Sequence, residues 1–333
     1  MSDDRLVRGF EEALRPPVDV RRARLTPAVL GGQGRGGLEA VKARIVRVAR
    51  GAPEVMVKIT GRTRDGGHLK AHLDYISRNG GLALEGPDGE RVEGRGGVGG
   101  LAREWADELA MEPRRRRDAS LSLSVILSMP AGVDAGRVRD AARVFAAEIF
   151  GERFPYVFVL HDEGRHPHVH LTVRALGQDG ERLNPRKADL QLWRERFAAA
   201  LRAREVEAEA TPRRLRGVTR KAERTPVRKM RERFEAGMGT APRVLVAAVR
   251  RARAEPPEAS PWSEVIQRRD RAIRRALMAA TLGWARDEGH GDPASAELLA
   301  RFVRTRPPPE TRDEMLRRRI REREGGDERP RER

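Results

Sequence analysis

The sequence predicts an α+β fold, in which an antiparallel β-sheet carries helices on its back. Strands and helices alternate along the chain, but residues 155–161 and 168–175 are two strands joined by a short loop. Such a loop allows only antiparallel pairing, because a parallel connection needs a crossover of a dozen residues or more. The segment LSLSVILSM at 121–129 alternates between apolar residues and serine, as a strand with one buried face does.

The first predicted helix covers residues 66–78, and its apolar side chains recur at the spacing of one helix face. Leu69, Leu73 and Ile76 form this stripe, and the dipeptide that begins at Asn79 offers a C-cap. The other expected elements are strand 55–60 before this helix and, after a glycine-rich loop or hairpin, helix 99–112, strand 121–129, helix 134–150, strands 155–161 and 168–175, and helix 187–206.

Composition divides the chain into three parts. Residues 1–52 are rich in Arg, Gly and Pro and are expected to form a flexible extension. Residues 53–217 contain the predicted sheet and are expected to fold as one domain. Residues 218–333 are expected to form a basic helical accessory region and a tail, because their helical pattern is Arg-rich and interrupted by proline.

Charge and residue types narrow the function. The formal net charge is +18, and residues 211–333 hold 32 Arg and Lys against 19 Asp and Glu. This balance favours a polyanionic partner such as nucleic acid. The chain has no cysteine, which excludes disulfides and thiolate metal sites. It has neither a run of 18 apolar residues nor a signal peptide, so we expect a cytoplasmic protein without membrane insertion.

Four of the seven histidines lie within HDEGRHPHVH at 161–170. Because side chains two residues apart share one face of a strand, His168 and His170 point to the same side. Closing the hairpin places His161 opposite His168, at about 5 Å between Cβ atoms. Three imidazoles on one open face predict a catalytic metal site. Asp162, Glu163 and His166 are candidates to support it, since a carboxylate can accept the second ring N–H of a ligating histidine.

A metal in this position could activate water, or it could polarise a phosphate for attack by a side chain. The chain has two tyrosines. Tyr156 alternates with Phe158 and Leu160 and is expected in the core. Tyr75 lies at the flank of the apolar stripe of helix 66–78, near its polar face, where it is free to react. From these residues alone, however, a helical tyrosine is more often a packing residue than a nucleophile.

Three segments resemble, in order and spacing, the three motifs of the relaxase/mobilisation nuclease family. They are LDYISRNG at 73–80, SVILSMPAG at 124–132 and HDEGRHPHVHLTV at 161–173. This family is the tyrosine branch of the HUH endonucleases and includes plasmid mobilisation relaxases and the T-DNA border nickase. The similarity extends over about residues 55–217 and implies an HUH or palm-like fold, with 53–217 as the catalytic domain.

The resemblance also implies roles for individual residues. Tyr75 is similar in position to the nucleophile that takes the 5′ phosphate of the nicked strand. Ser128 matches the serine that helps to position DNA or phosphate. His161, His168 and His170 match the metal ligands. Because aromatic residues are scarce, arginines are expected to hold the DNA, and Arg78 and Arg174 are the candidates beside the motifs.

The implied activity is site- and strand-specific nicking of DNA at a transfer origin. The product would be a 5′-phosphotyrosyl adduct with a free 3′-OH, for conjugative mobilisation. The expected cofactor is a divalent metal ion, Mg²⁺ or Mn²⁺. The expected partners are single-stranded origin DNA, an accessory origin-binding protein and a type IV coupling protein.

Three alternatives remain at this point. The first is a rolling-circle replication initiator or transposase of the same superfamily, although the chain contains no G-x-x-x-x-G-K-[ST] loop and no second tyrosine near Tyr75. The second is a DNA-binding relative without catalysis. The third is a metal-dependent hydrolase that uses water and does not need Tyr75.

Overall fold

Six strands form a single antiparallel sheet in the order β1-β4-β6-β5-β2-β3, and the predicted α+β class is confirmed. The computed structural model describes residues 38–112, 118–163, 166–211, 213–217, 223–254, 263–286 and 292–327. Its elements, up to the end of the sheet unit, are α1 (Leu38–Ala49), β1 (Met56–Thr63), α2 (Gly66–Ile76), β2 (Leu84–Glu85), β3 (Arg91–Val92), α3 (Gly94–Ala110), β4 (Ser122–Ser128), α4 (Ala135–Ile149), β5 (Tyr156–His161), β6 (His168–Arg174) and α5 (Lys187–Arg202).

One face of the sheet is covered by α4 and α5, as the sequence predicts. The apolar sides of β1, β4, β5 and β6 pack against these helices in one buried cluster. Phe145 lies at its centre, with its ring edge-on to those of Phe150, Trp193 and Phe197 at centroid distances of 6.0–6.4 Å. Asp134 caps α4 by accepting a hydrogen bond from the backbone N–H of Arg137.

The other face carries a second helix pair, whose place there the sequence patterns did not indicate. Helices α2 and α3 pack together and cover Val157 and Val159 of β5. Strand β5 therefore buries apolar residues on both faces. The alternation of Tyr156 and Phe158 in the sequence indicated only the face that packs against α4 and α5. Helix α2 has the predicted apolar stripe but ends at Ile76, two residues before the predicted end, with Ser77 as its C-cap. The strands not covered by this pair present polar side chains, and these form the site described below.

Helix α3 begins about five residues earlier than predicted, within the glycine-rich run. Glycine weakens a helix, so the sequence indicated a loop here. The backbone of Gly80, which follows α2, lies so close to Gly94 that a Cβ at position 80 would stand 2.4 Å from the Gly94 carbonyl carbon. Gly80 also has φ +84°. The start of α3 is thus packed directly against the turn that ends α2, and this packing outweighs the low helix propensity.

Part of the segment expected as a flexible extension is the helix α1. Arg44 and Arg47 on this helix bind Glu209, at 3.2 and 2.8 Å, and Glu209 is only 3% exposed. Arg44 also contacts Glu195 on α5 at 2.8 Å. Residues 38–52 therefore belong to the folded sheet unit, whereas residues 1–37 lie outside the described residues.

The chain divides into two compact units, and the sheet unit ends at Thr211. The second unit contains a short 3₁₀ helix (Arg213–Arg216) followed by α6 (Thr225–Glu235), α7 (Arg243–Arg253), α8 (Ser263–Arg286), α9 (Pro293–Thr305) and α10 (Arg312–Asp327). Buried Asp270 on α8 binds Arg274 and Arg306 at 2.7 and 2.9 Å. None of the described helices is both long and apolar enough to cross a membrane.

Candidate active site

The three histidines of the β5–β6 hairpin meet on the sheet face that also carries α2. His161 pairs with His168 in the strand register, as predicted. The ring centroids lie 5.3 Å apart for His161 and His168, 4.5 Å for His161 and His170, and 5.1 Å for His168 and His170. One ring nitrogen from each lies within 4.8 Å of the other two. This spacing lets all three rings bind one divalent metal ion.

Backbone carbonyls determine which nitrogens are free in two of these rings. His161 donates a hydrogen bond from Nε2 to the carbonyl of Ile76 at 2.7 Å, and His168 donates from Nδ1 to the carbonyl of His166 at 3.0 Å. The nitrogens left with lone pairs are therefore Nδ1 of His161 and Nε2 of His168.

The predicted supporting residues need correction. Glu163 is exposed and binds Arg78 at 3.0 Å, and not a histidine. Asp162 is exposed, and the hydrogen bonds of His161 and His168 go to carbonyls instead. His166 contributes its backbone carbonyl, while its ring is exposed. Backbone carbonyls accept these hydrogen bonds because the end of α2 and the hairpin loop both lie next to the rings.

Burial favours the neutral form of two of the rings, and the neutral form is the one that binds metal. Burial lowers the pKa of His161. Burial lowers the pKa of His170 to about 3, with smaller contributions from the charges that His161 and His168 would carry. Three imidazoles whose ring nitrogens converge within 4.8 Å fit a divalent cation, which is the class of cofactor that the resemblance implies.

Tyr75 stands beside this cluster with its side chain open to solvent. It is 66% exposed, although it lies between the buried residues of α2. Its ring is edge-on to His170, with a centroid distance of 6.2 Å. The next residue, Ile76, supplies the carbonyl that holds His161. The sequence-predicted nucleophile and the three histidines are thus brought together, whereas Tyr156 is 2% exposed within the core.

Ser128 lies beside the cluster and is buried. It pairs in the register with His168 and is 6% exposed. Its hydroxyl is 3.3 Å from the carbonyl of Pro167 and 3.4 Å from that of Met129. In this arrangement Ser128 supports the end of the hairpin loop that precedes His168, which differs from the predicted contact with DNA or phosphate.

The two predicted DNA-binding arginines have opposite placements. Arg78 follows α2 with φ 54°, is about half exposed, and its guanidinium binds the exposed carboxylate of Glu163. Arg174 is 8% exposed, forms an ion pair with Glu108 of α3 and donates to the carbonyl of Leu176. Arg174 therefore has structural contacts in this arrangement, which differ from the predicted contact with DNA. The α3 partner lies 66 positions away in sequence, so the motif pattern carried no sign of it.

Two residues of this face were not assigned a role from the sequence. His72 lies on α2 one turn before Tyr75, and its Nε2 is 3.0 Å from both Thr172 Oγ1 and Ser124 Oγ. Lys58 on β1 is exposed and shares a row across the sheet with Ile126 and His170. The sequence does place His72 three residues before Tyr75 on the same helix side, and strand alternation gives the direction of Lys58. Neither pattern indicates the site until the order of the strands is known.

Comparison with known proteins agrees with these motifs. The family described as "Relaxase: MobA/VirD2-like, nuclease domain" matches residues 75–205. T-DNA border endonuclease VirD2 of Rhizobium radiobacter is 29% identical over 141 residues, which cover 36% of this chain and 31% of that protein. The VirD2 of Agrobacterium fabrum is 29% identical over 140 residues, 36% of this chain and 30% of that protein. The chain thus matches less than a third of the length of these relatives.

Two solved structures of the MobM relaxase domain are among the structural matches to this chain. One is bound to a 26-nucleotide oriT DNA of plasmid pMV158, with 15% identity and a TM-score of 0.38 over 52% of this chain and 96% of that chain. The other, a Mn-bound crystal structure with pMV158 oriT DNA, has 14% identity and a TM-score of 0.38 over 56% of this chain and 100% of that chain. Residues 75–205 thus match the nuclease-domain family of the MobA/VirD2-like relaxases, in agreement with the family that the sequence motifs resemble.

Proposed function

We propose that this protein nicks one strand of DNA at a transfer origin and remains attached to the cut 5′ end through Tyr75. The observation that carries the proposal is the position of Tyr75, an exposed phenol beside three converging histidines. A core tyrosine would be buried, as Tyr156 is. An exposed phenol next to a metal-binding triad has no packing role, and phosphoryl transfer gives it a chemical one.

In the proposed reaction, the Tyr75 oxygen forms a bond to phosphorus as the bond from phosphorus to the 3′ oxygen breaks. The phenolic proton goes to solvent and the leaving oxygen takes up a proton, giving a free 3′-OH. His161, His168 and His170 would hold a divalent cation, which would supply charge neutralisation to the phosphate. Helix α2 keeps the nucleophile near the histidines, which reduces the entropic part of the barrier.

Single-stranded DNA must reach this face, and two exposed cations flank the histidines. We propose that Arg78 binds phosphate by exchanging Glu163 for the DNA backbone, since the pair is exposed and surface ion pairs contribute little. Lys58, in the sheet row of His170, is the second candidate. The metal is proposed to be Mg²⁺ or Mn²⁺, and accessory origin-binding and type IV coupling proteins are proposed partners for conjugative transfer.

The decisive experiment looks for the covalent product. The protein is incubated with single-stranded oligonucleotides from its own transfer origin and a divalent metal, then boiled in detergent and separated by electrophoresis. We expect a shifted adduct whose protease digest contains a nucleotide-bearing peptide with Tyr75. Tyr75→Phe should bind the oligonucleotide but form no adduct, whereas Tyr156→Phe, the matched control, should form it.

Two results would contradict the proposal. An adduct formed by the Tyr75→Phe variant would assign the nucleophile elsewhere. Cleavage of the oligonucleotide by the variant without any adduct would indicate a hydrolase that uses water.

A further inference from the structure

A polar contact joins the helix of the proposed nucleophile to the middle of the sheet. His72 of α2 directs Nε2 at two hydroxyls, Ser124 Oγ and Thr172 Oγ1, each at 3.0 Å. These hydroxyls come from neighbouring strands, since Ser124 pairs with Thr172 in the register of β4 and β6. His72 thus contacts two strands at once, and neither hydroxyl belongs to the histidine cluster.

The chemistry of this contact favours a fixed geometry. Ser124 is 5% exposed, Thr172 is fully buried, and the ring of His72 is half-buried between them and α2. Buried hydroxyls without a partner cost free energy, so the two strands need a polar group from the helix at this point. Burial also lowers the pKa of His72, which leaves a neutral ring. A neutral ring with its proton on Nδ1 accepts at Nε2 from the hydroxyls.

The contact of His72 with the two hydroxyls lies close enough to Tyr75 to influence how the Tyr75 side chain is oriented. Residues at i and i+3 lie on the same side of a helix, so His72 and Tyr75 project toward the same part of the sheet. One residue beyond Tyr75, the carbonyl of Ile76 accepts the hydrogen bond of His161. Tyr75 therefore lies between two polar attachments of α2, one to β4 and β6 and one to β5.

We propose that His72 is a positioning residue, which holds α2 on the sheet through Ser124 and Thr172 and thereby sets the approach of Tyr75 to the scissile phosphate. This inference rests on the proposed function, because it assumes that Tyr75 is the nucleophile. Among the described residues, the ring of His72 bonds to these two hydroxyls and to none of the three clustered histidines. Its effect is on the rate of attack and not on binding.

The test compares two substitutions at position 72. His72→Leu keeps apolar packing but removes the acceptor, and His72→Gln restores a polar group at the reach of Nε2. Because a displacement of 1 Å at a reacting group can cost about 100-fold in rate, we expect His72→Leu to slow single-turnover adduct formation by about 10- to 100-fold. His72→Gln should recover most of that loss. The affinity for single-stranded DNA should be unchanged in both.

A control variant and a double variant distinguish a loss of positioning from a loss of folding. His68→Gln changes an exposed histidine one turn earlier on α2, which contacts only Asp65 in the described structure, and should react at the normal rate. The double variant Ser124→Ala, Thr172→Val removes both partners without altering α2. It should be as slow as His72→Leu, and adding His72→Leu to it should cause no further loss, because the three groups act as one unit.

A spectroscopic readout does not depend on activity. The chain has only two tyrosines, so 3-fluorotyrosine labelling gives two ¹⁹F resonances, assigned with Tyr156→Phe. In His72→Leu we expect the Tyr75 resonance to move or broaden while that of Tyr156 stays, and His72→Gln should restore it. Should wild-type protein form no adduct, the proposed function fails, and the ¹⁹F comparison still decides whether His72 positions Tyr75.

Other outcomes would overturn the inference. A folded His72→Leu variant with normal adduct formation and an unchanged Tyr75 resonance would show that His72 positions nothing. If His72→Leu does not fold, the Ser124 and Thr172 double variant takes its place, and its normal rate would overturn the inference equally.

Discussion

Binding of metal by the three histidines should raise the stability of the protein, and losing one ring should remove most of that gain. A ligand that binds only the folded state stabilises it by RT ln(1 + [L]/Kd), which is about 2.7 kcal/mol at a concentration of 100 Kd. For a unit of this size, 1 kcal/mol corresponds to a shift in Tm of about 2–4 °C. Wild-type protein should therefore melt about 5–11 °C higher with saturating metal than with chelator.

The perturbation is His170→Ala, chosen because His170 lies within 4.5–5.1 Å of both other rings by centroid distance. Removing one of three ligands should weaken metal binding at least tenfold, by analogy with the 10- to 100-fold cost of losing a supporting partner. At the same metal concentration the stabilisation then falls to about 1.4 kcal/mol or less. The metal-induced shift in Tm should be half of the wild-type value or smaller.

The matched control is His166→Ala, in the same hairpin loop. Its ring is exposed and its carbonyl, which holds His168, survives the substitution. Scanning fluorimetry with Mn²⁺, Mg²⁺ and Zn²⁺ measures both variants, since imidazole ligands also suit zinc. Equal metal-induced shifts in Tm for wild type and His170→Ala would refute the three-histidine site. A smaller shift in His166→Ala alone would indicate that the metal binds in the hairpin loop.

Four further predictions concern DNA binding and the fold. Arg78→Gln should weaken single-strand binding and flatten the slope of log K against log salt by about 0.7, as titrations at several salt concentrations can show. Arg174→Gln should leave this slope unchanged but lower the free energy of unfolding by about 1–3 kcal/mol, because it leaves Glu108 without its partner. Gly80→Ala should cost more stability than Gly89→Ala in urea titrations. Both residues have positive φ, but only Gly80 would place a Cβ against backbone; equal losses would contradict the packing of α3. Deleting residues 212–333, with their excess of positive charge, should retain cleavage of a short oligonucleotide yet flatten the salt slope on long DNA, whereas loss of cleavage would place this region in the catalytic unit.

Local patterns predicted the parts of the site that depend on neighbouring residues. Strand alternation was enough to bring His161 opposite His168 and to place His170 on the same face, because side-chain direction in a strand follows from position alone. The spacing of Leu69, Leu73 and Ile76 likewise predicted which side of α2 is buried. These inferences need no knowledge of distant segments.

Contacts between residues distant in sequence could not be predicted, because they depend on how separate segments pack. The acceptor for His161 is a carbonyl 85 positions earlier, and any residue type supplies a carbonyl. The pairing of Arg174 with Glu108 depends on α3 covering the second face, which was not foreseen because β5 is apolar on both sides. Residues such as these become predictable only when the strand order and the helix pair on each face are known.

The hydrogen bond from His161 to Ile76 joins the nucleophile and the candidate metal ligands through the main chain. Since Nε2 is engaged, His161 must offer Nδ1, and the direction of that lone pair depends on where the carbonyl lies. The carbonyl belongs to the residue directly after Tyr75, so a movement of this end of α2 changes the nucleophile and one ligand together. Substitution of the Ile76 side chain cannot remove the carbonyl. The coupling therefore depends on how α2 is held to the sheet, which is the task that the structure assigns to the contacts of His72 with Ser124 and Thr172.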